Sequence, residues 1–287
     1  MSTQSMALVR FSGRQKAGAG PPRVPDLVPA PDRQALFGTD REFIGLILAS
    51  GGHDIVDYRA EPLRRRLPAV LRSLRVPSVQ QGLTELRCNP QAFEKALCAL
   101  LISHTASFRD EAVFQTLRDP VLPELLARVG APRILSIACS NGAELYSIAL
   151  LLAAAGLLEQ SELCGIDGRR AAIQEASQLG TTFWSSVPAA FEDLKSSVSQ
   201  SDFLRMTERI LWRTQSVLET QKHEVWDLVL CRNLSIYLQP LAALRLWQLA
   251  GDSLTPDGIL VTGKAEHPLP VERWRRIDKC IYQLVKE

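Results

Sequence analysis

The spacing of hydrophobic and polar residues divides the chain into three parts. Residues 1–36 are rich in proline and glycine and hold few large apolar residues, so they cannot bury enough surface to offset the entropy cost of ordering. Residues 37–120 carry apolar positions at helical spacing, whereas residues 121–287 alternate strand-like and helix-like segments. We therefore predict a disordered tail, then a helical N-terminal domain, then an α/β domain.

The helical part opens with two amphipathic segments. Asp40 is a suitable N-cap for a first helix, whose apolar face falls at residues 43–48 and which ends at Gly51. In the second segment, apolar residues recur at helical spacing over residues 63–74, with arginines on the other sides. Pro68 lies inside this second pattern and predicts a kink or a break, because proline removes a backbone hydrogen bond.

After Pro132, short apolar runs alternate with helical patterns. The predicted strands cover residues 134–137, 162–166, 210–214, 225–230, 259–262 and 279–285, and the predicted helices cover residues 145–152, 170–179, 189–194 and 240–254. A turn is expected at residues 256–258, where proline, aspartate and glycine follow one another. Such alternation is typical of a mostly parallel sheet that is covered by helices on both faces.

Residues 133–154 hold the pattern most typical of a ligand site. A short apolar run leads into the small-residue turn Ala138–Gly142, and a long apolar helical run follows. The turn has one glycine rather than GxGxxG, which indicates a ligand without a pyrophosphate, such as S-adenosylmethionine. Asp167 ends the next predicted strand, where a carboxylate that binds ribose hydroxyls is expected. The alternative is an ordinary strand–turn–helix without a ligand.

Composition narrows the classes of function. The formal net charge is +2, which argues against a general nucleic-acid binder. The six cysteines are scattered and only four histidines are present, so neither a metal site nor a disulfide framework is expected. No run reaches the ~18 consecutive apolar residues of a membrane span. No secretory leader is recognisable. These features predict a cytoplasmic protein with no metal, no nucleic-acid partner and no membrane insertion.

Five segments, in the same order, resemble the CheR-type methyltransferases, which methylate glutamates of bacterial chemoreceptors. They lie at residues 52–67 (GHDIVDYRAEPLRRRL), 105–110 (TASFRD), 139–149 (CSNGAELYSIA), 231–238 (CRNLSIYL) and 263–266 (GKAE). The resemblance covers about residues 40–287. It implies an α/β fold, in which a Rossmann-like S-adenosylmethionine-dependent methyltransferase domain, residues 121–287, is preceded by a small all-helical domain, residues 37–120.

The resemblance also implies a set of site residues. The residues expected to bind S-adenosylmethionine are Thr105, Arg109, Gly142, Glu144, Asp167, Gln215, Arg232 and Asn233. Within that set, Glu144 would meet the amino-acid end of the cofactor and Asp167 its ribose. Arg109 and Tyr237 are the residues expected to be catalytic.

The chemistry of the implied reaction suits these residues. A glutamate carboxylate has an unperturbed pKa of ~4.3, so it is ionised at neutral pH and needs no general base. The reaction requires the carboxylate oxygen to be placed in line with the transferred methyl group. Arg109 can hold the substrate carboxylate by charge-assisted hydrogen bonds, and the Tyr237 hydroxyl can support it.

Several positions depart from the family pattern. Gly168 and Arg169 replace a hydrophobic–acidic pair after Asp167, and Ala143 and Leu145 replace a glutamate and a proline. Two alternatives therefore stand beside an active glutamate methyltransferase. One is a degenerate, non-catalytic CheR-like module that acts as a regulator or scaffold. The other is a methyltransferase with a non-receptor substrate.

The expected partner is a helical protein of chemoreceptor type. Residues 181–215 correspond to a region where many family members carry a β-subdomain that docks on a receptor pentapeptide. No glycine lies between Gly180 and Gly251, although tight hairpin turns depend heavily on glycine. We therefore predict a reduced β-subdomain and no pentapeptide tether. Docking would then fall to a basic face that includes Arg65 and Arg72.

Overall fold

The computed structural model describes residue 36 and residues 38–101, 105–218 and 224–285. The tail predicted over residues 1–36 lies outside the described residues, apart from the buried Leu36. The α-helices are α1 Gly38–Ser50, α2 Ala60–Leu74, α3 Val79–Cys88, α4 Gln91–Leu100, α5 Glu111–Thr116, α6 Leu122–Val129, α7 Ala143–Ala154, α8 Arg170–Gln178, α9 Gly180–Ser185, α10 Gln200–Thr207 and α11 Pro240–Asp252. The strands are β1 Arg133–Ile137, β2 Glu162–Asp167, β3 Leu211–Thr214, β4 Trp226–Cys231, β5 Leu254–Thr262, β6 Trp274–Asp278 and β7 Ile281–Leu284.

The strands form one seven-stranded sheet in the order β3-β2-β1-β4-β5-β7-β6. The strands β1 to β5 run parallel, and β7 pairs antiparallel with both β5 and β6. The strand order reverses between β1 and β4, so the loops that follow these two strands diverge to opposite sides. Ligands of open α/β sheets bind in the crevice at such a point, beyond the carboxyl ends of the strands. The fold is the predicted Rossmann-like α/β class.

The central strands are buried on both faces. Ile134 and Leu135 are neighbours on β1 with no exposed surface, yet they belong to different hydrophobic clusters. Side chains alternate between the two faces of a strand, so each face contributes to its own core. One core packs against α7 and the Phe183, Phe191 and Phe203 rings, and the other packs against α1 to α4 and α11.

The helices that precede β1 divide between the two faces of the sheet. The buried side chains of α1 to α4, such as Phe43 and Val70, share a cluster with one face. The side chains of α5 and α6, such as Phe114 and Leu125, share a cluster with the other face. The first four helices therefore share a core with α11 on one face of the sheet, while α5 and α6 share a core with α7 on the other. The domain boundary at residue 121 stays a prediction.

Two local predictions were wrong, and one strand was missed. Helix α2 runs without a break through Pro68, because Leu63 and Val70 on either side are both buried in the core and hold the turns together. The expected turn at residues 256–258 lies inside β5, where the pairing with β4 shifts register and Asp257 takes a φ of 63°. Strand β6 was not predicted, because its burial pattern is mostly exposed and lacks clear alternation.

Residues 181–215 are mainly helical. They contain α9, a 3-10 helix at Ala189–Ser197, α10 and then β3, which pairs in parallel with β2. Ser199 caps α10 by accepting a hydrogen bond from the Asp202 backbone N–H at 3.1 Å. Within this fully described segment, β3 is the only strand and no hairpin forms.

Candidate functional site

A cavity of about 350 Å³ lies at the carboxyl edge of the sheet, between the ends of β1, β2 and β4 and the first helices. Small-molecule sites usually measure ~300–1,000 Å³, so this volume suits a compact ligand. The predicted site residues that line the cavity are Thr105, Arg109, Glu144, Asp167, Arg232, Asn233 and Tyr237. The structure therefore gathers residues from four separate sequence segments around one space.

Gly142 and Gln215 are not among the residues that line the cavity. Gly142 has a φ of 81°, and a Cβ atom there would lie 2.6 Å from the Trp212 ring and 2.9 Å from the Ala176 Cβ atom. A glycine is needed at this position because the indole packs directly against its backbone. The Gln215 backbone N–H donates to the Asp167 carbonyl oxygen at 3.0 Å, which extends the pairing of β2 and β3.

Unusual backbone conformations lie in the loops that form the cavity. Ala138 and Ser140, after β1, have φ values of 56° and 54°, and Asn233, after β4, has a φ of 60°. Non-glycine residues rarely adopt positive φ, and such strain concentrates at functional sites. Here the turn directs the Ser140 backbone N–H to the Asp167 carboxylate, at 3.0 Å.

Arg232 connects three of the segments beneath the cavity. Its guanidinium donates to Glu144 Oε2 at 3.0 Å, to Asp110 Oδ2 at 2.7 Å and to the Arg109 carbonyl oxygen at 3.0 Å. The Arg232 side chain is only 2 % exposed. Its guanidinium carbon lies 5.5 Å from the centre of the Phe114 ring, within range of a cation–π contact. Arg232 therefore fixes the backbone that carries Arg109.

Asp110 extends this charged network to the surface. Its carboxylate accepts from Lys264 Nζ at 2.7 Å as well as from Arg232. Burial alone would raise the pKa of Asp110, but the hydrogen bond from Lys264 and the charge of Arg232 lower that pKa below its ordinary value. The carboxylate is therefore ionised throughout the neutral range, and its network with Arg232 stays charged.

The two buried carboxylates on the cavity differ in how many of their hydrogen-bond acceptor positions are occupied. Glu144 accepts one hydrogen bond on each oxygen, from the Ser136 hydroxyl at 3.1 Å and from Arg232. Asp167 accepts four, from the Ser140 and Arg169 backbone N–H groups and from Nε and a terminal nitrogen of the Arg169 guanidinium, all at 2.9–3.0 Å. A carboxylate has about four acceptor positions. Glu144 retains capacity for a ligand, and Asp167 has none left.

Glu266 organises the loop that follows β4. Its Oε1 accepts from the Leu234 and Ser235 backbone N–H groups at 2.9 and 2.7 Å and from the Ser235 hydroxyl at 2.8 Å. Its Oε2 accepts from the Asn233 and Gly263 backbone N–H groups at 2.5 and 2.8 Å. Glu266 is 1 % exposed. This carboxylate holds the loop in the conformation that puts Asn233 and Tyr237 on the cavity.

His53 brings the first helices to the cavity. Its Nδ1 lies 3.1 Å from the Tyr58 hydroxyl, and its Nε2 is buried without a hydrogen-bond partner. A Cβ atom at Gly168 would lie 2.7 Å from His53 Nε2, so only glycine allows the imidazole to approach the end of β2 this closely. Burial lowers the pKa of His53 below 6.5, although the nearby Asp167 opposes the shift. The imidazole is therefore neutral at pH 7.

Several polar atoms at the cavity lack partners. Among the described residues, five buried side-chain nitrogen or oxygen atoms have no hydrogen bond, and three of them belong to the cavity lining: His53 Nε2, Ser140 Oγ and Arg232 Nε. Buried polar groups are rarely left unsatisfied, and each exception needs an explanation. These three atoms fit a cavity that takes a polar ligand.

The cavity mouth carries the exposed cationic and phenolic groups. Arg109 is exposed and Tyr237 is half-buried, and both line the cavity. Arg65 also lines it, with a side chain that is 70 % exposed and an ion pair to Glu61 at 3.0 Å. Arg72, the other residue of the predicted basic face, is exposed on the same helix but does not line the cavity.

Three further findings concern metal ligands, membrane spans and thiols. Within the described residues, no cluster of His, Cys, Asp and Glu side chains could hold a metal ion. In that same part of the chain, no helix combines the length and apolar character that crossing a bilayer requires. Burial raises the pKa of the Cys139 thiol, the one thiol on the cavity, well above its ordinary value, so it is no nucleophile at neutral pH.

Sequence reasoning missed four residues that shape the site: His53, Asp110, Arg169 and Glu266. His53, Asp110 and Glu266 stand inside the segments at residues 52–67, 105–110 and 263–266, so their position alone could have marked them. Arg169 stands out in the sequence only as a departure from the family pattern. Its contact with Asp167 depends on the side-chain conformation, which no sequence pattern reveals.

Comparison with known proteins identifies relatives. The family model for the CheR methyltransferase SAM-binding domain matches residues 103–280, more than half of the chain. A chemotaxis protein methyltransferase of Listeria innocua is 23% identical over 229 residues, covering 76% of this chain and 86% of that protein. Chemotaxis protein methyltransferase 1 of Vibrio cholerae is 24% identical over 241 residues, covering 79% and 88%. Among solved structures, the N-methyltransferase NodS from Bradyrhizobium japonicum has a TM-score of 0.39 and 17% identity, covering 60% of this chain and 88% of that one.

Proposed function

We propose, from the premise that this chain belongs to the CheR methyltransferase family, that it transfers a methyl group from S-adenosylmethionine to a glutamate carboxylate on a partner protein. The family membership rests on the match over residues 103–280. The proposal that the acceptor is a glutamate carboxylate rests on one observation: exposed Arg109 and half-buried Tyr237 lie on the same cavity as two buried carboxylates. Cations at the mouth suit an anionic acceptor, and carboxylates inside suit a cofactor with a cationic end.

The residues of the cavity fit S-adenosylmethionine. When bound, this cofactor supplies a methyl group on a sulfonium centre, which is electrophilic without any metal or base. Glu144 keeps free acceptor positions and would take the ammonium end of the cofactor. Asp167 would take the ribose hydroxyls in place of the Arg169 guanidinium, and the unpartnered Ser140 hydroxyl and His53 Nε2 would meet other polar atoms of the ligand.

Arg109 and Tyr237 would place the acceptor carboxylate. That carboxylate is ionised at neutral pH, so the protein has no proton to remove and must supply only position and charge. The Arg109 guanidinium would hold one oxygen, while the Tyr237 hydroxyl would donate to the carboxylate from the side of the loop after β4. Arg232 supports this role by holding the Arg109 carbonyl oxygen at 3.0 Å.

The acceptor would be a glutamate on an acidic helical protein of chemoreceptor type. Arg65 at the cavity mouth and Arg72 on the same helix are both exposed and can meet acidic side chains. Arg66 is less available, because its guanidinium donates to the Ala99 carbonyl oxygen at 2.8 and 3.1 Å. Because residues 181–215 contain no hairpin, we infer docking by this face rather than by a peptide tether.

The test is a methyl-transfer assay with labelled S-adenosylmethionine and a cytoplasmic receptor fragment. We expect wild-type protein to label glutamates of the fragment and Arg109→Ala to lose on the order of 10²-fold in turnover. The variant should keep its unfolding temperature, because the Arg109 side chain is exposed. Arg41→Ala, an exposed arginine on α1 outside the cavity, is the matched control. Labelling by the Arg109 variant at the wild-type rate would refute the assigned role.

One observation favours a second candidate, a non-catalytic CheR-like module. All four acceptor positions of Asp167 are taken by protein groups, two of them from the Arg169 guanidinium. If the ion pair between Arg169 and Asp167 never opens, the cavity cannot hold the ribose through Asp167, and the chain would act as a scaffold. Calorimetry separates the candidates, since a module would not bind S-adenosylmethionine at millimolar concentration.

A further inference from the structure

We propose that Arg169 competes with the cofactor ribose for Asp167, so that ribose binds only when the guanidinium has moved away. This inference rests on the proposed function, because it concerns the same cavity and the same cofactor. It assigns to Arg169 control over cofactor affinity. The family pattern has an acidic residue at this position, so the competition is a property of this chain.

Acceptor capacity limits what Asp167 can bind. A ribose diol that donates to a carboxylate needs two acceptor positions. In Asp167, Oδ1 is taken by the Arg169 backbone N–H at 2.9 Å and by Arg169 Nε at 3.0 Å, while Oδ2 is taken by the Ser140 backbone N–H and a terminal guanidinium nitrogen, both at 3.0 Å. About four positions exist on a carboxylate. A diol can therefore enter only if the guanidinium leaves.

Only two of the four donors to Asp167 are free to leave. The two backbone N–H groups are fixed by the turn after β1 and by the start of α8, so they remain whatever the ligand. The two guanidinium bonds come from a side chain with several rotatable bonds. Without them, Asp167 would still be anchored by two backbone donors and would have two acceptor positions open. That is the number that a diol requires.

The closed arrangement of Asp167 and Arg169 is the stable one. Their side chains are 6 % and 7 % exposed, so solvent screens the ion pair poorly. A terminal nitrogen of Arg169 also lies 3.5 Å from the Leu101 carbonyl oxygen. The open state is therefore the minor one. When only a fraction of molecules can bind, the apparent dissociation constant rises by the inverse of that fraction.

The effect is confined to the sugar end of the cavity. Glu144 has one hydrogen bond on each oxygen and needs no such rearrangement. If the open state has a population of about 10 %, as minor conformers often have, the loss of the guanidinium should tighten binding about tenfold. If the ion pair had only a structural role, its loss would disorder the end of β2 and weaken cofactor binding instead.

The experiment is calorimetry of S-adenosylhomocysteine with the full chain. Arg169→Met keeps the length of the stem and removes every donor, and we expect its dissociation constant to be about tenfold lower than that of the wild type. Arg169→Lys keeps the charge but can donate from one point only, so it should lie between the two. Arg170→Met, the exposed neighbour in the chain, is the matched control and should bind as the wild type does.

A second pair of probes tests the diol itself. The gain in Arg169→Met should appear with adenosine and vanish with 2′,3′-dideoxyadenosine, because the latter lacks the 2′ and 3′ hydroxyls that compete for Asp167. A structural role of Arg169 would change both affinities alike. If Arg169→Met does not fold, the same comparison in Arg169→Lys decides the question.

The outcomes separate this inference from the proposed function. If the wild type binds and Arg169→Met binds equally or more weakly, the competition is refuted and the proposed function stands. If only Arg169→Met binds, the competition is supported and the wild-type chain is not an active methyltransferase. If neither folded protein binds S-adenosylhomocysteine at millimolar concentration, both proposals fail.

Discussion

Glu266→Gln should destabilise the loop after β4 and, through it, the cavity. The substitution is nearly isosteric and removes only the negative charge and one acceptor group. In the wild type, Oε1 accepts three hydrogen bonds and Oε2 accepts two. A glutamine amide has one oxygen and one NH₂ group, so one side of the carboxylate becomes a donor that faces other donors.

The size of the stability loss follows from the hydrogen bonds that are lost in each of the two orientations of the substituted side-chain amide. With the NH₂ group at the Oε2 position, the Asn233 and Gly263 backbone N–H groups lose their acceptor inside the protein. Each unsatisfied buried donor costs about 1–3 kcal/mol, which gives about 2–6 kcal/mol for the pair. The total stability of a domain is about 5–15 kcal/mol, so this loss would be large. In the opposite orientation the Leu234 and Ser235 backbone N–H groups lose their acceptor, and the cost is similar because the Ser235 hydroxyl can rotate to accept from the NH₂ group.

The assay is urea denaturation followed by tryptophan fluorescence, with cofactor affinity measured on the folded variant. We expect a fall of at least about 2 kcal/mol in the free energy of unfolding and weaker binding, since the loop carries Asn233 and Tyr237. Glu272→Gln, at an exposed position, is the control and should change neither quantity by much. A loss below about 1 kcal/mol with unchanged affinity would show that Glu266 does not hold this loop.

Two further predictions concern pH and salt. Burial lowers the pKa of His53 in the folded chain, so the unfolded chain binds the proton more readily and the free energy of unfolding should fall as the pH drops from about 7 to 5. In urea unfolding at pH 7.5 and 5.5, His53→Gln should show a smaller difference between the two pH values than the wild type. An equal difference in the variant would contradict the prediction. In the methyl-transfer assay, the double variant Arg65→Gln with Arg72→Gln should have a higher KM for the receptor fragment, while kcat stays within about twofold. Its KM should also rise less with salt than the wild-type KM does, because salt screens the exposed charges that the variant lacks. An equal salt dependence of KM in the double variant would argue against docking by this face.

The sequence predicted the architecture well where burial decides it. The apolar runs at β1, β2 and β4 are buried on both faces, so their hydrophobicity is continuous and easy to recognise. The turn after β1 was also recognisable, because small residues and a glycine stand together there. These local patterns are sufficient to predict a ligand site at the carboxyl edge of the sheet.

The remaining features depend on contacts between distant residues. Pro68 should disrupt a helix locally, yet the buried Leu63 and Val70 outweigh this preference. Strand β6 exists because β7 supplies its hydrogen bonds, and its own residues are mostly exposed. The role of Glu266 follows from backbone N–H groups about 30 residues away in the chain, which carry no side-chain signature. Local patterns cannot reveal such partners.

The distribution of charge around the cavity shows how one site could suit both a cationic cofactor and the proposed anionic acceptor. Inside, Glu144 and the half-buried Asp110 share the buried Arg232, and the buried Asp167 is paired with the buried Arg169. Buried ion pairs of this kind leave little net field at the surface.

The field at the mouth must then come from exposed groups, and those on the lining are Arg65 and Arg109. The pair between Arg65 and Glu61 is exposed, so water and salt screen it and an acidic partner can replace it at little cost.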